Sequence, residues 1–194
     1  MKERSKGEAL HAQAIQAREK EQDFLKALQL LDESLLISAQ EDEHENIAGI
    51  EGSRRNIFGH LYRQTGNADY LVLAKYSALA AVELAEKHNI EEMALPYRDL
   101  ANAFEELEGY EKASENYTKA LSFENSPSLS RPAVKDDLVA HLGFSQYMSG
   151  NTEEGLKNMD EAISELEEDT EANKYEHDVW LSGALMRKAK ALHD

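Results

Sequence analysis

The side chains best suited to hold a ligand stand at helical spacing. Asn56, His60 and Arg63 fall at i, i+4 and i+7, and Arg98, Asn102 and Glu105 repeat that interval. With about 100° of turn per residue, each trio projects from one side of its helix. Asn both donates to and accepts from a peptide backbone, and Arg grips a carboxylate through paired bonds. Ala140, Phe144 and Tyr147 keep the same spacing with Asp137 and His141 at their edge, and Leu181, Leu185 and Lys188 follow it again. Phe144, Tyr147, Leu181 and Leu185 are apolar groups on a face expected to meet water, which usually marks a contact surface. The expected chemistry is recognition without reaction, with a polar, anion-tolerant end and an apolar end. Plainer readings compete: Arg63 and Arg98 can pair with Glu105, Glu106 or other local carboxylates, and Phe144 and Leu185 can be buried on each other.

Catalysis finds little foothold. The seven histidines, at positions 11, 44, 60, 88, 141, 177 and 193, never fall in a two-His ligand spacing with a carboxylate on one helix face. His141 and His177 could approach across neighbouring helices, but no metal site is expected there. There is no cysteine, which excludes disulfides, thiolate catalysis and Cys-type zinc sites. No glycine-rich phosphate loop, GxSxG elbow or Ser/His/Asp arrangement stands out, so neither enzyme activity nor a cofactor is expected. The chain carries 21 Lys and Arg against 38 Asp and Glu, a net charge of −17. That balance argues against nucleic acid, whose phosphates demand a basic surface, and against anionic membranes. No run of apolar residues is long enough to span a bilayer, and the basic first residues lack the apolar segment of a secretory signal. A cytoplasmic address is the default expectation.

The elements that must position these residues are helices. In the stretch Tyr97–Ala120, Tyr97, Leu100, Ala101 and Phe104 recur on one face, a break follows at Glu108–Gly109, and Tyr110, Ala113, Tyr117 and Ala120 form a second face. Two helices joined by so short a turn lie antiparallel, with the alanines allowing close approach and the aromatics filling the space around them. This pattern resembles the tetratricopeptide repeat, whose signature is an aromatic, Leu with a small residue, a second aromatic, then Ala-x3-aromatic. The closing proline expected near Asn125 is missing, and Pro127 lies a little further on. Weaker echoes occur at Phe24, Ala27 and Leu31; at Phe58, Gly59 and Tyr62; at Ala74, Ala78 and Ala81; at Val139, Leu142 and Gly143; at Gly155, Met159 and Ala162; and at Trp180 and Ala184.

Helices are expected over about 6–21, 23–38, 47–64, 70–87, 132–149 and 175–192, with another starting at Thr152 as its cap. The acidic stretch AQEDEHEN at 39–46 reads as a linker. The small residues Ala27, Ala74, Ala113 and Gly155 are 47, 39 and 42 residues apart, longer than the usual period of about 34.

The resemblance implies an all-α fold of antiparallel helix hairpins stacked into a right-handed superhelix, a single array over 1–194. Its units would cover about 6–40, 46–89, 90–126 and 131–169, with a capping helix at about 173–192. It further implies a concave face, lined by the first helix of each unit, that holds a peptide or protein segment. The peptide-binding set is then Asn56, His60, Arg63, Arg98, Asn102, His141, Phe144, Tyr147, Leu181 and Leu185. No Lys occupies the concave slots of the third or fifth helix, so the family's Lys/Asn/Arg clamp for a C-terminal carboxylate is not supported. The alternative is a homo-oligomeric scaffold that self-associates through the apolar end. A small-molecule pocket is a third and weaker reading.

Overall fold

The structure, a computed structural model, describes residues 4–169 and 174–193; position 173, where the capping helix was expected to begin, lies outside them. The fold is all-α, with no strand among the described residues. Its helices are α1 (Lys6–Gln16), α2 (Phe24–Gln40), α3 (His44–Thr65), α4 (Asp69–His88), α5 (Ala94–Glu106), α6 (Tyr110–Ser122), α7 (Pro132–Met148), α8 (Thr152–Glu168) and α9 (Lys174–His193). Neighbours in sequence pack as hairpins, α1 on α2, α3 on α4 and α7 on α8, as in helical-repeat proteins. The chain forms two compact units, residues 1–103 and 104–194.

In the first unit, α1 is opened by a capping box: the Ser5 hydroxyl accepts from the Glu8 amide at 3.0 Å and the Glu8 carboxylate accepts from the Ser5 amide at 2.9 Å. A π-helical turn, Ala17–Glu21, extends α1 until Gln22 reverses it in the left-handed region. Ala14, Ala17, Ala27, Leu31, Ile50 and Ile57 form the core, with Phe24, Leu28 and Leu61 packed against it. On α4 the buried Ala74, Ala78, Ala81 and Ala85 keep the three- and four-residue steps of one face. Tyr97, Leu100 and Ala101 are buried as their spacing predicts.

The linker at 39–46 is shorter than expected. α3 starts at His44 rather than Ile47, because Asp42 turns the chain in the left-handed region and Asn46 is drawn inward to bond Ser38 at 2.8 Å. Glu45 and Asn46 therefore belong to the first turn of a helix.

In the second unit, Ala113, Tyr117 and Ala120 are fully buried, as the repeat pattern predicts. The Gly109 amide bonds the Phe104 carbonyl at 2.8 Å and closes the turn before α6. α7 and α8 meet backbone to backbone. A Cβ on Gly143 would stand 2.7 Å from the Gly155 carbonyl oxygen, and one on Gly155 would stand 2.6 Å from that of Gly143. Only glycine permits this approach. Asn151, not Thr152, occupies the cap position of α8, and Thr152 is its first helical residue.

Candidate functional site

A cleft of about 680 Å³ opens in the first unit. Its walls come from α1 (Glu8, His11), the start of α3, and the start of α5 (Leu95, Arg98, Asp99). α3 contributes Asn46, Gly49, Ser53 and Asn56 at steps of three and four, with Gly52 beside them, so one helix face lines the floor. The two glycines leave that floor without side chains. A Cβ at Gly49 would come within 3.0 Å of the His11 ring, and one at Gly52 within 3.1 Å of Asp99 Oδ2.

A chain of hydrogen bonds fixes the wall. His11 Nδ1 lies 2.8 Å from Asn46 Oδ1, and His11 Nε2 lies 2.8 Å from Ser53 Oγ. The Asn46 amide nitrogen donates to Ser38 Oγ, so its oxygen is the acceptor for His11. Nδ1 of His11 accordingly carries the proton, and Nε2 accepts from the Ser53 hydroxyl. Ser38 donates to Glu43 at 2.7 Å, and Ser34 donates to the Gly7 carbonyl at 2.7 Å. Burial, together with the nearby Arg18 charge, outweighs the Asn46 bond and lowers the His11 pKa below its ordinary value. His11 is thus a neutral strut near pH 7. The order Ser–His–Asn matches a nucleophile, base and orienting group, but Ser53 is buried on its helix and its proton bridges two helices.

Of the residues expected from spacing, Asn56 and Arg98 line this cleft; His60, Arg63 and Asn102 do not. His60 stacks on Phe24 at 5.4 Å and its Nδ1 meets Arg63 at 3.2 Å. Burial first, then the Arg63 charge, lowers its pKa. Arg98 donates from Nε and Nη2 to Asp99 Oδ1 at 3.1 and 2.8 Å, so it pairs with the neighbouring carboxylate. Sequence reasoning missed His11, Asn46, Gly49, Gly52, Ser53 and Asp99. The signal present was the row of small and polar residues from Asn46 to Asn56 at helical steps.

The expected apolar end falls in the second unit and needs correction. Phe144 is buried, 2% exposed, in a cluster with Met159 and Ala191. Its ring meets Tyr110 edge-on at 5.8 Å, with Lys190 Nζ over its face at 5.2 Å. It is core, not contact surface. Tyr147 packs half-buried on the same cluster, and Leu181 packs on Ala140, Ile163 and Ala184. Leu185 is exposed, on a side of α9 that also shows Val179, Met186 and Leu192 to solvent.

His141 sits in a polar cluster. Glu105 Oε2 accepts from Tyr117 OH at 3.0 Å and from Ser145 Oγ at 3.3 Å, and lies 3.0 Å from His141 Nδ1. Arg187 of α9 bonds the His141 ring and lies 3.6 Å from Asp137. Burial acts to raise the Glu105 pKa; His141 by charge and hydrogen bond, with Arg187 and Tyr117, outweighs it and holds the carboxyl below its ordinary value. His177 pairs with Asp178 at 3.4 Å.

No protein-family model matches the chain, and no curated protein matches it. Among solved structures, it is similar to the one titled "Crystal structure of BtubC (BKLC) from P. vanneervenii". That match has a TM-score of 0.66 and 21% identity over 96% of this chain and 78% of the other. At this identity the likeness extends to the fold. No helix among the described residues is long and apolar enough to cross a membrane.

Proposed function

We propose that the chain is a protein-interaction module of the tetratricopeptide type, cytoplasmic and without catalysis, that receives a segment of a partner in the cleft of its first unit. The observation that carries this reading is the cleft itself, of about 680 Å³, floored by two side-chain-free positions of α3 and walled by α1 and α5. Cavities of a few hundred Å³ with a few well-placed polar groups are the usual seats of ligands. His11, locked between Asn46 and Ser53, makes the wall rigid, and a rigid wall lowers the cost of binding. The test is to pan a random-sequence peptide library on the whole protein and assay the enriched peptides against Gly52→Leu. They should lose at least tenfold in affinity, about 1.4 kcal/mol, while helicity and melting stay close to wild type. Equal affinity for both proteins discards the cleft.

One observation favours a second reading, self-association. On α9, Val179, Leu185, Met186 and Leu192 are 47, 45, 73 and 59% exposed, an apolar strip of the kind that marks an interface. Light scattering decides it: a concentration-independent mass of 21.8 kDa discards the scaffold. If the protein dimerises, Met186→Glu should return the monomer.

A further inference from the structure

We propose that the segment seated in the cleft is basic, with an arginine or lysine side chain reaching the floor beside Gly52. This rests on the reading of the cleft as a partner-binding site. Six carboxylates line it, from Glu8, Asp42, Glu43, Glu45, Glu92 and Asp99, against the guanidiniums of Arg18 and Arg98. Both guanidiniums already have anionic partners, Arg18 with Glu19 at 2.6 Å and Arg98 with Asp99 at 2.8 Å. The positive end of the α3 dipole is likewise answered, by Glu45 in its first turn. An acidic ligand would thus meet an excess of its own sign.

The floor is built for a cation. The Asp99 side chain is only 7% exposed, and its Oδ1 takes both Arg98 bonds. Its Oδ2 faces Gly52, where a Cβ would stand 3.1 Å from that oxygen, and both residues line the cleft. A long aliphatic stem fits over Gly49 and Gly52, and a guanidinium or ammonium at its tip completes the Arg98–Asp99 pair as a cation–carboxylate–cation bridge. Glu8 and Glu45 at the exposed rim supply the remaining negative charge.

The experiment measures polarisation of fluorescein-labelled Gly-Arg-Gly-Arg-Gly and Gly-Glu-Gly-Glu-Gly with the whole protein at physiological salt. One triple variant neutralises the rim, Glu8→Gln, Asp42→Asn and Glu45→Gln, which keeps the capping box of α1. A second changes net charge equally at exposed positions outside the cleft, Glu33→Gln, Asp69→Asn and Glu83→Gln. The arginine peptide should bind in preference to the glutamate peptide. It should lose about tenfold in the rim triple and less than about twofold in the control triple. Equal losses in the two triples would reduce the effect to net charge and overturn the proposal. Preferential binding of the glutamate peptide, abolished by Gly52→Leu, would overturn the basic ligand yet keep the cleft. Binding of either peptide unaltered by Gly52→Leu would overturn both.

Discussion

Two pairs of glycines, one in each unit, do opposite work. In the second, Gly143 and Gly155 let α7 and α8 touch through their backbones, and the space is consumed by packing. In the first, Gly49 and Gly52 face a cleft, and the space is kept. The polar groups nearby follow suit. The second unit closes over an ionic cluster of Glu105, His141 and Arg187, whereas the first braces its cleft with the uncharged His11–Asn46–Ser53 chain. A closed ionic cluster ties helices together at the cost of desolvation. A neutral strut holds a wall in place without adding charge to a site whose sign matters. The same helix-hairpin plan thus yields one unit organised for cohesion and one organised around a vacancy.

The largest effect expected is at Glu105. Glu105→Ala removes the buried carboxylate that the Tyr117 and Ser145 hydroxyls and the His141 ring share, so denaturant unfolding should show a loss of about 3 kcal/mol or more. Glu105→Gln, which retains an acceptor, should lose clearly less. If the two variants fall together, the cluster's charge is what matters and its hydrogen bonds do not.

The glycines sharpen the contrast next. Gly143→Ala forces a methyl against the Gly155 carbonyl and should cost about 2 kcal/mol. Gly52→Ala meets only the Asp99 carboxylate tip, while alanine gains helix propensity of up to about 1 kcal/mol over glycine, so melting should stay level or rise. A similar loss at both positions would mean that the cleft floor is packed after all.

Much of this architecture was legible in the sequence, because hairpin packing is written in local periodicity. Tyr97, Ala113, Tyr117 and Ala120 repeat at steps that a single helix face imposes, and all four are buried. Phe144 was misplaced because an angular reading assumes one buried face per helix. α7 packs on α6, α8 and α9, and so buries Leu138, Ala140, Leu142 and Phe144 in several directions. The cleft was hidden for another reason. His11 meets Asn46 and Ser53 across 35 and 42 residues, a relation set by helix crossing rather than by spacing. Gly49 and Gly52 read in sequence only as weak helix formers, since nothing local reveals that a glycine lines a cleft.

Acid should separate the two units. The unfolded chain takes up protons at His11 and His60 near pH 6.5, and the folded chain resists them. Their contribution to stability is therefore whole above about pH 6.5 and drains as pH falls through the lowered folded values. Glu105 has an ordinary value of 4.5, lowered on folding, so its contribution persists until pH falls below about 4.5. At about pH 5.5 amide exchange in α1 and α3 should quicken before exchange in α7. His11→Gln should flatten the first unit's response. Simultaneous loss of protection in both units would break the distinction.

The smallest effect runs the other way. Asp136 on α7 is pushed up to about 6 by burial and by the Glu165 charge, with Asp169 adding and Lys135 opposing. Its folded value exceeds the ordinary 3.8, so the folded chain favours the protonated form. The unfavourable contribution is present at neutral pH and is relieved as pH falls through 6 toward 3.8. Asp136→Asn removes the charge while keeping the shape, and it should raise the stability of the second unit at pH 7 but not at pH 4. Solvent screening at this half-exposed position holds the gain under about 1 kcal/mol. In mild acid Asp136 therefore steadies the second unit over part of the interval in which His11 and His60 weaken the first. Replacing Asp136 should widen the difference in amide exchange between the units at about pH 5.5, from the side of the second unit alone, because its penalty is only partly relieved there.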